Sequence, residues 1–89
     1  MEFEWNEEKA IANEGKHGVT FEEAIGVFGD PLAITFSDPD HSFDENRYLT
    51  FGLSLLGRLL VVSHSEREAR MRIISARLMT KKERGLYEQ

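Results

Sequence analysis

The sequence predicts an α+β fold: two N-terminal helices, an antiparallel β-meander sheet, and a C-terminal helix. Three observations predict it. Helix caps and 3.6-residue periodicity fill the first thirty positions. Apolar, β-branched runs separated by turn residues occupy the middle. A second capping sequence reopens a helix near the end. Eighty-nine residues suit one domain, expected over 1–89, with room for one modest core. No internal repeat or low-complexity segment interrupts it.

Each element follows from its residues. Phe3-Glu4-Trp5 is a short extended piece. Asn6 caps a helix whose first turn carries Glu7 and Glu8, where the helix dipole favours acids. That helix runs to about His17 and stops at Gly18. Its apolar face is thin, and Lys9, Asn13, Lys16 and His17 form one polar stripe, unusual for a helix that only packs. Thr20-Phe21-Glu22-Glu23 reads as a capping box, with Glu23 reaching back to the cap. Phe21, Ala24, Ile25 and Phe28 then make a buried stripe, ended by Gly29-Asp30-Pro31. Leu32–Phe36 is the first meander strand, and Ser37–Ser42 is a loop by composition. Arg47–Leu53 is the second strand. Arg58–His64 holds a continuous apolar run, as expected of a central strand covered on both faces. Ser65–Ala69 reads as a charged turn and Arg70–Arg77 as the fourth strand. Thr80-Lys81-Lys82-Glu83 opens the last helix, through Tyr87. The helices are expected on one face of the sheet.

Composition excludes several classes of function. There is no cysteine, hence no disulfide scaffold, thiolate zinc site or cysteine nucleophile. No apolar stretch is long enough for a membrane helix, and the first residues lack the basic and apolar regions of a secretory signal. The expectation is a cytoplasmic protein with no membrane partner. The net charge is −5, but the two halves differ. Residues 1–45 carry twelve acids against two lysines. Residues 46–89 carry four acids against nine bases, so a basic face remains available.

The candidate chemistry lies in a few side chains. Arg72 and Arg77 sit in an otherwise apolar strand and must either pair with carboxylates or face a groove. On strict alternation they point to opposite faces unless a bulge intervenes. His17 ends the polar stripe, and His64 ends the central strand. Histidine titrates near neutrality and suits proton transfer. The spacing of the three histidines, His41 included, matches no zinc signature, so no metal and no cofactor is expected. Glu45 and Arg47 lie two apart and point the same way on an extended strand. Histidine, lysine, glutamate and arginine together could supply a metal-free RNA cleavage: a base for the 2′-hydroxyl, cations for the phosphorane, an acid for the leaving oxygen.

Taken in order, the segments resemble a known family. They are Phe3-Glu4-Trp5-Asn6, Lys16-His17-Gly18-Val19, Phe21-Glu22-Glu23-Ala24, Val27-Phe28-Gly29-Asp30-Pro31, Asp44-Glu45-Asn46-Arg47, Gly57–Val62, Arg72-Ile73-Ile74-Ser75-Ala76-Arg77 and Glu83–Glu88. The chain is similar to the BrnT toxins of type II toxin–antitoxin systems over nearly its whole length. The resemblance implies a RelE-like fold and an endoribonuclease that arrests translation. It implies a ribbon-helix-helix antitoxin as partner, with operator DNA reached only through that antitoxin. Carried over by position, the matching polar residues are Lys9, Lys16, His17, Glu45, Arg47, Arg72 and Arg77; as an endoribonuclease, the chain is expected to use Arg72 and Arg77 for charge stabilisation, His17 or His64 for proton transfer, and Glu45 for orientation. Lys9, Lys16 and Arg47 are then the RNA-binding residues. The alternative is a non-catalytic module of the same fold that binds an antitoxin or another protein target. RNA cleavage separates the two.

Overall fold

The computed structural model describes residues 2–38 and 46–88. Among these are helices α1 (Glu7–His17), α2 (Phe21–Ile25) and α3 (Lys81–Tyr87). The strands are β1 (Glu2–Glu4), β2 (Ile34–Ser37), β3 (Arg47–Leu53), β4 (Leu59–Arg67) and β5 (Arg70–Leu78). They form one sheet in the order β1-β5-β4-β3-β2. The predicted meander β2 to β5 is antiparallel throughout. The addition is β1, which pairs parallel to β5 from Glu2↔Arg70 to Glu4↔Arg72 and makes the sheet mixed.

The caps explain where the helices begin. Asn6 Oδ1 accepts from Lys9 N at 3.0 Å, and Gly18 ends α1 at φ 67°, a left-handed conformation that costs glycine little. Thr20 Oγ1 accepts from Glu23 N at 3.0 Å. The other half of that expected capping box is not made. Glu23 turns inward instead, accepting from Ser54 Oγ at 2.7 Å and from the Arg58 guanidinium. A charge-assisted pair outcompetes a lone backbone amide for the carboxylate. At Thr80 both halves of the box form.

Strand limits shift for local reasons. β2 starts at Ile34, not Leu32, because Asp30 captures Leu32 N at 3.0 Å and Leu53 N at 2.8 Å and holds a turn. The expected charged turn over Ser65–Ala69 shrinks to two residues. Glu66 and Arg67 stay in β4, paired with Met71 and Arg70, and only Glu68 and Ala69 turn, with φ of 52° and 66°. The expected loop over Ser37–Ser42 lies mostly outside the described residues.

The two faces of the sheet carry different cores. On one, Leu60, Val62, Met71, Ile73 and Ala76 pack against Ala10, Val19, Phe21, Ala24 and Val27 of the helical half. Phe3, Trp5 and Phe28 close its margin, Trp5 edge-on to Phe21 at 5.9 Å. On the other, Phe51, Val61 and Met79 form a smaller cluster, flanked by Leu49, Leu59 and Tyr87. α3 therefore lies against the second face, contrary to the expectation of all helices on one side. It buries no residue of its own. Polar ties hold it: Arg77 to Glu83, and Tyr87 Oη donating to Asp30.

Candidate active site

β5 decides what the second face presents. Its register against β4 runs Val61↔Arg77, Val62↔Ala76, Ser63↔Ser75, then jumps to His64↔Ile73 and Ser65↔Arg72. A bulge at Ile74 absorbs one residue and reverses the parity of everything before it. Met71, Ile73 and Ala76 thus all enter the helix-covered core. Arg70, Arg72, Ser75 and Arg77 all emerge on the opposite face. The bulge that alternation required for Arg72 and Arg77 to share a face is present.

Neighbouring strands add to that face. Arg47↔Ser65 and Arg67↔Arg70 are register partners, so Arg47 and Arg67 stand there too. Five of the seven arginines in the chain, at 47, 67, 70, 72 and 77, share one side of the sheet. The acids that set the net charge lie largely elsewhere, Glu7, Glu8 and Glu14 on α1 and Glu22 and Glu23 on α2.

Carboxylates among the described residues hold Arg70, Arg72 and Arg77 at rest. Arg70 Nε meets Glu2 Oε2 at 3.1 Å, and Arg72 Nη1 lies 3.5 Å from Glu4 Oε2. Arg70 Nη1 also lies 3.7 Å from Glu4 Oε1, and all three contacts are partly exposed and of the kind that contributes little. Arg77 is held more firmly, by a two-pronged pair with Glu83 at 2.7 and 2.9 Å. That bond pulls the Glu83 carboxyl down to about 2. Arg72 and Arg77 are set apart by the four residues from Ser65 to Val61, roughly 13 Å along the strand.

α1 forms a wall beside this strand. Asn13 is buried and docks on the β5 edge where β1 has ended. Its Nδ2 donates to Ala76 O at 2.8 Å and Val19 O at 3.0 Å, while its Oδ1 accepts from Ala76 N at 3.1 Å. The carboxamide thereby replaces a missing strand. With Asn13 fixed, Lys9, Lys16 and His17 line an open groove of about 230 Å³, floored by Ile74 and Ser75. Ser75 belongs to both the groove and the arginine face.

His64 is placed differently. Its ring lies on the helix-covered side, 3% exposed, with Nε2 2.6 Å from Thr50 Oγ1. Phe28 meets it edge-on at 5.0 Å and Tyr48 stacks on it at 5.8 Å. Burial lowers its pKa to about 4, so it is neutral at physiological pH. The structure thus groups Arg47, Arg72 and Arg77 with the Lys9–Lys16–His17 groove and sets His64 apart. Glu45 lies outside the described residues. Arg67, Arg70 and Ser65 also stand on this face, and the signal for that lies in register rather than in any motif. No three His, Asp or Glu side chains gather as metal ligands among the described residues, and no described helix is long and apolar enough to cross a membrane.

The fold is a small α+β sheet that turns most of its arginines to one side, with a lysine–histidine groove at its edge. Comparison with known proteins gives the family. Residues 5–83 match the model of the ribonuclease toxin BrnT of type II toxin–antitoxin systems, and the chain belongs to that family. The crystal structure of the Brucella abortus ribonuclease toxin BrnT superposes with a TM-score of 0.72 at 21% identity, covering 91% of this chain and 99% of that one. No curated protein matches the chain. The protein is thus a ribonuclease toxin of a type II system, and its partner is an antitoxin.

Proposed function

We propose that the toxin cuts RNA internally and without a metal ion, on the arginine face. The gathering of five arginines there, in a chain of net charge −5, is the observation that carries the proposal. The RNA backbone runs across β4 and β5, held by Arg47 and by Lys9 and Lys16 from the groove wall. Arg72 and Arg77 offset charge on the phosphorane that forms when the ribose 2′-oxygen attacks the adjacent phosphate. His17 is the proton-transfer residue favoured by position, since it lines the groove that Ser75 shares with the arginines. His64, buried and neutral, belongs to the core side. Glu45 is the orienting residue of this reading.

The antitoxin is of the ribbon-helix-helix type, and operator DNA is reached through it. Such antitoxins are dimeric, so two toxin copies are brought together by symmetry. The site of action is the cytoplasm, where RNA is available.

Purified toxin incubated with naked RNA in EDTA tests the nuclease reading, with Arg72→Ala alongside. Cleavage by wild type and loss in the variant are the expected result. Cleavage that EDTA abolishes overturns the metal-free mechanism. Equal cleavage by both proteins overturns the role of Arg72.

A further inference from the structure

The arginine face also carries three serines, and one of them is out of place. Ser63 and Ser75 are partly exposed and can bond to water. Ser65 is fully buried, at 0% exposed, and its Oγ has no hydrogen-bond partner among the described residues. A buried hydroxyl left unpaired is a cost that alanine at the same position avoids. Its two register neighbours are Arg47 on β3 and Arg72 on β5. Such cross-strand neighbours have Cβ atoms about 5 Å away. An anion that displaces the side chains covering Ser65 and settles between the two guanidiniums would lie over the unpaired oxygen. Both arginines are partly exposed, and Arg72 is tied to Glu4 by one 3.5 Å contact that an anion can displace.

We propose that Ser65 is a substrate-contacting residue. Its hydroxyl donates to a non-bridging oxygen of the RNA phosphate held between Arg47 and Arg72. The identity of that anion rests on the ribonuclease reading above. On this view the missing partner of Ser65 is the substrate, and stability is given up for it in the free protein.

Three variants of the full chain test this: Ser65→Ala and Ser65→Cys, which remove the hydroxyl, and Ser65→Thr, which keeps it. Each is assayed for RNA cleavage, for binding of a non-cleavable 2′-O-methyl RNA by fluorescence anisotropy, and for thermal stability. The expected result couples opposite signs. Ser65→Ala melts at or above the wild-type temperature, yet loses about ten- to a hundred-fold in kcat/KM and binds the analogue more weakly. Ser65→Cys follows Ser65→Ala, and a folded Ser65→Thr retains cleavage within a few-fold. Wild-type cleavage and binding by Ser65→Ala overturn the proposal, as does parallel loss of stability and activity in the Ala and Cys variants. If wild type binds the analogue without cleaving RNA, the nuclease reading falls and the anisotropy comparison alone judges Ser65. If wild type neither cleaves nor binds, both fall.

Discussion

The two faces of the sheet come from the same strands and have opposite characters. On the helix-covered face, β4 and β5 contribute Leu60, Val62, His64, Ile73 and Ala76, and the histidine there is buried in its neutral form. On the other face the same strands contribute Ser63, Ser65, Arg70, Arg72 and Arg77, tied by ion pairs that are mostly loose and partly exposed. One face is covered by the helical half, and the other is covered by α3 around Phe51, Val61 and Met79 and carries its charged groups beyond that cluster. The strand alternation makes this division possible, and the Ile74 bulge keeps it intact along β5.

Arg72→Ala is the sharpest way to break the comparison. It should lower RNA cleavage by about a hundred-fold or more, while the urea unfolding midpoint moves little, because Arg72 contributes charge and not core. Asn13→Ala attacks the junction between the faces. It strands Ala76 N, Ala76 O and Val19 O, and should cost roughly 3 kcal/mol of stability by urea titration.

The core-side histidine gives an effect that depends on pH. His64 has a folded pKa near 4 against 6.5 for the free group, so between these values the unfolded chain binds more protons. Stability therefore rises with pH through this window and is level above it. Lowering the pH from 7.5 to 5 should remove roughly 2 kcal/mol through this group. Urea midpoints at both values check it, and His64→Leu should flatten that slope. The smallest effect is expected where neither face is involved. Ala69 turns at φ 66°, so Ala69→Gly should raise stability by about 1 kcal/mol, seen as a higher melting temperature with cleavage unchanged.

Much of this division was legible before the structure. The limits of β3 and α3, the cap residues and the apolar run of β4 follow from local signals, and local physics decides them. What was not legible is non-local. A three-residue strand at the N-terminus has no signature of its own, and only its pairing with β5 makes it one. Glu23 fits a capping box by spacing, but Arg58 arrives from thirty-five positions away and wins the carboxylate. Arg72 and Arg77 were visible as charged residues in an apolar strand, yet their common face depended on a bulge that no residue type marks. Ser65 and Arg67 read as part of a charged turn, and Arg70 as the first residue of the fourth strand. Their place on the face follows only from how β4 and β5 align.

The parallel pairing of β1 with β5 also sets an order in time. Phe3 precedes its partner Met71 by sixty-eight positions, so the pairing closes only after the chain between them has been made. Glu4 waits equally long for Arg72. No N-terminal fragment on the ribosome contains either the finished core or the arginine face, and long-range pairings of this kind close slowly. The core and the arginine face of this chain therefore come together only once β5 has been made.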